Sequence, residues 1–248
     1  MGFFLQQKRE VMTEPSIFDI IADLDTPVSA FMKLRDLQPR FLLESVEGGE
    51  RLARYSFLGF GAASTVRLEH NDLYLDEKVI GQPKSQIEYL QSLRELLSVA
   101  PQLTPSIDDL PFSGGLVGVS GYDIIRLFEE LPTLTKPQEN LPRAIFVMPT
   151  SVLVFDHLTR RAALLHAGSE TARKQLKQQV IQCLRASLPV DEEPSSFTEP
   201  EAQMSEVEFL RRVEQCKKWI DSGDIYQIVL SVVFKGQSKV DSFEVYRA

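Results

Sequence analysis

Cysteine, histidine and surplus positive charge are all scarce in this chain. Its two cysteines, Cys183 and Cys216, have no metal-ligand spacing and sit in segments that read as helices. They suit a reducing compartment and read as small apolar fillers. The three histidines, His70, His157 and His166, are scattered, so the sequence supports neither a metal constellation nor a serine–histidine–acid arrangement. Basic residues number 27 against 35 acidic ones, a net charge of −8. Nothing supplies the basic stripe that a nucleic-acid surface needs. Long apolar runs are missing too: none approaches the length that spans a bilayer, and no charged-then-apolar leader precedes the fold. Met1-Gly2 opens like a myristoylation signal, but Gln6 stands where that signal needs Ser or Thr. A soluble, cytoplasmic protein without membrane or nucleic-acid partners is the expectation.

What is present suffices for a core. Hydrophobic residues make up 43% of the 248 and charged residues 25%, room for one large domain or one and a half ordinary ones. Residues 1–25 read as a lead-in. Thr26-Pro27 opens a helix, with Thr26 as cap, and Val28, Phe31, Met32 and Leu34 continue an apolar stripe to about Leu37. Phe41–Ser45 and Arg54–Gly59 then read as two strands joined by a polar connection containing Gly48-Gly49. Thr65–Glu69 and Leu73–Leu75 alternate apolar and polar residues about an Asn71-Asp72 turn, a second hairpin. Ile87, Leu90, Leu93 and Leu97 mark an amphipathic helix ended by Pro101.

Ser113-Gly114-Gly115-Leu116-Val117-Gly118 precedes a helical stretch from Ile124 to about Leu131, yet matches neither phosphate-binding pattern. It reads as a strand whose glycines admit a close backbone approach or a bulge. Ala144–Phe155 is the most strand-like run, with Pro149 marking a bulge or an edge, and Ala162–His166 returns from it. Asp156 and His157 are neighbours on the chain, so they point apart and form a turn rather than a catalytic pair.

After a helix over Thr171–Leu188, residues 189–203 are acidic and rich in Pro and Ser, a linker. Beyond it, Ser205 and Glu208 form a capping box, and Phe209, Leu210, Val213, Cys216 and Ile220 share a helix face closed by Gly223. Asp224–Ser231 reads as a buried strand. Asp241-Ser242 opens a helix that has run about one turn at Ala248, as a fragment would. The fold class expected is α+β: antiparallel sheets packed as a sandwich with flanking helices over 26–188, and over 204–248 the opening helix and strand of a second α+β domain.

At the end of the first strand, Glu44 and Ser45 place a carboxylate and a hydroxyl beside a glycine turn. Their chemistry alone fits a solvated hairpin end as well as a small polar site.

Three motifs decide more than their parts. Leu42-Leu43-Glu44-Ser45 with Ala53-Arg54-Tyr55-Ser56-Phe57-Leu58-Gly59, then Gly114-Gly115-Leu116-Val117-Gly118 leading to Gly121-Tyr122-Asp123, then Gly223–Ser231, occur in the order found in the large subunit of anthranilate synthase, component I. From about Thr26 onward the chain resembles the first half of that family. The resemblance implies an N-terminal regulatory domain over 26–188 and a truncated chorismate-binding domain over 204–248. It implies an enzyme that turns chorismate and ammonia into anthranilate and pyruvate with Mg²⁺, fed with ammonia by a glutamine amidotransferase subunit and inhibited by tryptophan. Leu43, Glu44 and Ser45 would form part of the tryptophan site, with Arg54 on the facing strand. The Mg²⁺ ligands and acid/base groups belong to family motifs beyond this chain, so no catalytic or metal residue is assigned and the fragment is expected to be inactive. Gln227 would face the active site where water-activating relatives carry a lysine, which favours ammonia as nucleophile; the residue also reads as a hydrogen-bonded group on an inward strand face. The aminodeoxychorismate synthase large subunit is the rival within enzymes. A stand-alone amino-acid-binding or subunit-docking module is the rival outside them.

Overall fold

In the computed structural model, which describes residues 17–44, 54–132, 141–189 and 196–248, the Thr26 hydroxyl accepts from the Ser29 N–H while the Ser29 hydroxyl accepts from the Thr26 N–H, each at 3.0 Å. This reciprocal box starts α1 (Pro27–Lys33), whose first residue needs no N–H donor. Thr26→Ala is expected to cost about 1 kcal/mol in urea unfolding; an unchanged midpoint would show that Ser29 and Pro27 suffice. A 3₁₀ turn over Arg35–Leu37 carries the chain on to the sheet.

The chain divides into two compact units, 1–189 and 190–248. The first is built on an eight-stranded sheet, antiparallel throughout, so the expected α+β class with flanking helices is what the structure shows, its strands joined in one sheet. The strands are β1 (Ile20–Ile21), β2 (Pro39–Leu43), β3 (Tyr55–Glu69), β4 (Asp72–Leu75), β5 (Lys78–Gly81), β6 (Val117–Ser120), β7 (Ala144–Asp156) and β8 (Arg161–His166). The two long strands β3 and β7 pair with each other almost end to end. The outer edge of β3 pairs first with β2 and then with β4; that of β7 pairs first with β6 and then with β8.

The changeover lies at Gly61-Ala62, which together oppose Thr150 between the pairs Phe60–Ser151 and Ala63–Pro149. One extra residue there is a β-bulge, and Gly61 supplies the φ of +79°. Pro149 falls between the β6 and β8 pairings of β7, so its missing N–H breaks no ladder bond on that edge. The second hairpin turns at His70-Asn71, one residue earlier than its sequence suggests, because Glu69 pairs with Asp72.

Helices cover this sheet. Ala30 from α1 and Leu34 just after it, with Val180 and Leu184 from α3 (Glu170–Arg185), pack on Leu58, Phe60, Leu153, Phe155, Ala162 and Leu164. α2 (Gln86–Ser98) packs Tyr89 and Leu96 against Val66, Leu68, Leu73, Ala144 and Met148. Its buried stripe is therefore rotated from the expected one: Leu90 and Leu93 do border this core, but Ile87 is 78% exposed. The glycine-rich segment does what its composition suggests. Gly118 on β6 lies opposite Phe146, and a side chain there would run into the backbone of Ile145 and Phe146.

In the second unit, Ser205 caps α4 (Glu206–Asp221), and Gly223, at φ +80°, follows its end. Glu208 supplies its N–H to Ser205 but gives its carboxylate to Arg211 and Arg212, which hold it at a pKa of about 2. A short ladder joins β9 (Glu201–Ala202) to β10 (Phe234–Lys235), and α5 (Ser242–Arg247) ends the chain. The expected buried strand over Asp224–Ser231 is not formed. Among the described residues of this unit no strand pairs with it, and an unpaired strand leaves its N–H and C=O groups to water. Tyr226 in that segment is 94% exposed.

Candidate functional site

β2 and β3 bring the predicted strand end together by simple register. Leu43 pairs with Phe57, and Phe57 pairs with Val154 of β7; one step along, Tyr55 pairs with Asp156. Alternation then puts Leu43, Tyr55, Phe57, Val154 and Asp156 on one face of the sheet. That face is aromatic. Phe18 stacks on Tyr55 with ring centroids 6.2 Å apart, Phe57 meets Phe112 edge-on at 5.4 Å, and Phe112 meets Phe41 at 6.1 Å. Phe41 can lie over β3 because Gly59 beneath it has no side chain.

Arg54 enters at the foot of β3, above this floor. Its Nε donates to Asp156 Oδ1 at 3.1 Å and its Nη2 to Oδ2 at 2.8 Å, a fork-to-fork pair. The guanidinium lies 4.8 Å from the centroid of the Tyr55 ring. The arginine side chain is 40% exposed and the aspartate side chain 1%. Burial pushes the Asp156 carboxyl up, but hydrogen bonds from Arg54 and from the Leu158 N–H, together with the arginine's charge, outweigh it and hold the group below the ordinary carboxylate range. The hydrogen bond to Asp156 likewise raises Arg54, against the opposing effect of burial.

Of the predicted residues, Leu43 is partly exposed beside this face, and Glu44 follows the end of β2. Ser45 and the Gly48-Gly49 connection lie outside the described residues. Gln227 is exposed, on a backbone that is not a strand, and so is not held on an inward strand face. Among the described residues no three His, Cys, Asp or Glu side chains are grouped to hold a metal ion.

Sequence reasoning missed three partnerships. Asp156 with Arg54 is one. The others are two histidine–serine hydrogen bonds, His157 Nε2 with Ser56 Oγ at 2.8 Å and His166 Nδ1 with Ser151 Oγ at 2.9 Å. Both serines are buried within the sheet, closed to a substrate, so these bonds brace strands. Asp156 and His157 do go to different partners, as a turn requires; His166 is not isolated. No local signal could reveal the two partnerships that span about a hundred residues without the β3–β7 pairing, whereas Ser151 and His166, 15 residues apart, face each other across the β7–β8 hairpin.

Each unit holds a cavity. One of about 220 Å³ beside the β7–β8 turn is lined by Asp23, Asp25, Asp156, His157, Arg160 and Arg161, and its Asp25 is already committed to Lys33 at 2.8 Å. Another, of about 350 Å³ in the second unit, is lined by Cys216, Trp219, Ile228 and Leu230 with Arg211 and Arg212 at its rim.

The family profile described as chorismate binding enzyme matches residues 38–248. The chain is 34% identical to anthranilate synthase component 1 of Thermus thermophilus over 232 residues, 92% of this chain and 49% of that protein. It is 30% identical to anthranilate synthase component 1 of Geobacillus stearothermophilus, over 100% of this chain and 53% of the relative. The crystal structure of anthranilate synthase component I from Streptococcus pneumoniae TIGR4 superposes with a TM-score of 0.62 at 27% identity, covering 92% of this chain and 51% of that one. The chain thus spans about half the length of these relatives. With motifs, sheet and family profile in agreement, this polypeptide belongs to the chorismate binding enzyme family.

Proposed function

We propose that this chain is the N-terminal part of an anthranilate synthase large subunit, and that its first unit carries a tryptophan-responsive effector site. In the complete enzyme chorismate and ammonia give anthranilate and pyruvate, ammonia coming from a glutamine amidotransferase subunit and Mg²⁺ binding in the portion this chain does not span. The observation that carries the reading is the similarity to two proteins named anthranilate synthase component 1 over 92–100% of the chain. The chemistry of the strand end is compatible with it. An amino-acid effector needs an acidic acceptor for its ammonium, a hydroxyl, and a cationic donor for its carboxylate, over an apolar floor that takes the side chain. Glu44, Ser45 and Arg54 offer those groups, and the partly exposed Phe18 and Tyr55 rings offer the floor.

The test uses the complete subunit with chorismate and ammonium. Anthranilate is the expected product, and aminodeoxychorismate would move the chain to the other branch. In that enzyme Ser45→Arg is expected to raise the tryptophan concentration for half-inhibition at least tenfold while sparing turnover. Unchanged inhibition would remove Ser45 from the site. Tight, micromolar binding of tryptophan by residues 1–190 alone would instead favour a self-sufficient binding module.

A further inference from the structure

The β7–β8 turn is strapped to the foot of β3 by more than the ion pair. The His157 N–H donates to the Arg54 carbonyl at 2.9 Å, and His157 Nε2 meets Ser56 Oγ. Asp156 is itself fixed by its own turn, since the Leu158 N–H donates to Oδ1 at 3.1 Å. Held by Asp156 on one edge and by the Tyr55 ring at its face, the Arg54 guanidinium has little rotational freedom left. Its Nη1 makes no hydrogen bond to any other described residue, and the side chain remains partly open to solvent.

We propose that Asp156 is the positioning residue of the effector site: it orders Arg54 in advance, so that Nη1 meets the carboxylate of a zwitterionic amino acid without a long side chain having to be immobilised on binding. The proposal rests on the effector reading above. Because the formal charges of Arg54 and Asp156 cancel, what the pair offers a carboxylate is a directed N–H rather than net positive charge. This separates it from simple electrostatic attraction. If net charge governed binding, removing the Asp156 charge would tighten it; if orientation governs, the same change weakens it.

The experiment is an NMR titration of the 248-residue chain with L-tryptophan into the millimolar range, following the Leu43 and Glu44 amides and the Arg54 Nε–H. Asp156→Asn is expected to weaken binding roughly three- to tenfold and to remove the protection of the Arg54 Nε–H from solvent exchange. Arg54→Lys, which keeps the charge but cannot form the fork, is expected to weaken binding similarly and serves if the asparagine variant does not fold. Ser56→Ala cuts the neighbouring His157 strap and is expected to leave affinity unchanged. Equal or tighter binding by Asp156→Asn overturns the proposal, as does an equal loss in Ser56→Ala. No shift in the wild-type chain removes the effector reading itself, and the positioning role with it.

Discussion

Gly118→Val should unfold the β6 edge of the sheet and lower the stability of the first unit by about 3 kcal/mol. A Cβ on Gly118 would lie 2.6 Å from Phe146 Cα and 2.8 Å from the Ile145 carbonyl carbon, closer still to that residue's oxygen. These are backbone atoms of β7, paired on their far side with Arg67 and Val66 of β3, so they cannot move away without disturbing the central ladder. Gly59 makes the useful contrast. A Cβ there meets the Phe41 ring, which can rotate at the cost of its contact with Phe112, so Gly59→Ala should cost only about 1 kcal/mol. Gly81 has nothing within 4 Å and should tolerate alanine. Urea unfolding of the three variants orders them. A Gly118→Val midpoint equal to that of wild type would mean that β6 does not pack as described.

The second large effect is electrostatic. Arg54→Met strips the Asp156 carboxylate, 1% exposed, of its ion partner and leaves the Leu158 N–H as its backbone donor. A buried carboxylate without its counter-charge costs about 2–3 kcal/mol at neutral pH. The pH dependence identifies the cause. In the wild type the folded-state pKa of Asp156 is depressed, so its contribution is present above the ordinary carboxylate pKa and is lost as pH falls through the depressed value. In Arg54→Met burial is left as the leading influence and pushes that pKa up. The variant then loses stability as pH rises through the unfolded-state value, and its deficit against wild type shrinks toward acid pH. Adding Asp156→Asn to Arg54→Met should restore part of the loss at pH 7. A deficit equal at pH 7 and pH 4 would place the damage in lost packing on Tyr55 rather than in the stranded charge.

Local chemistry made parts of this fold legible. Thr26-Pro27, Ser205 and Gly223 act where their residue types predict, because capping and left-handed backbone are properties of a few adjacent atoms. Gly118 follows the same logic: only a close backbone approach needs a glycine inside a strand. The continuity of β3 was hidden. Phe57–Phe60 is buried on both faces, the first strand reads as ending at Gly59, and the alternation from Thr65 reads as a separate hairpin. The bulge joins them by changing which neighbours the strand serves. Asp224–Ser231 failed for the opposite reason. Its composition is that of a buried strand, but burial depends on neighbours that the described residues of this unit do not supply. The candidate site divides in the same way. Leu43, Glu44 and Arg54 could be selected from their motif, whereas Asp156 became visible only when the β3–β7 register set it beside Arg54.

We propose that the first unit senses an effector and that the chemistry it governs requires more than the half of its relatives' length that this chain spans. The direct measurement is to give the 248-residue chain chorismate, ammonium and Mg²⁺ and to follow anthranilate fluorescence and pyruvate release, with the complete subunit as reference. The complete subunit is expected to form both products and the chain alone neither. Anthranilate or pyruvate produced by the chain unaided would contradict the proposal.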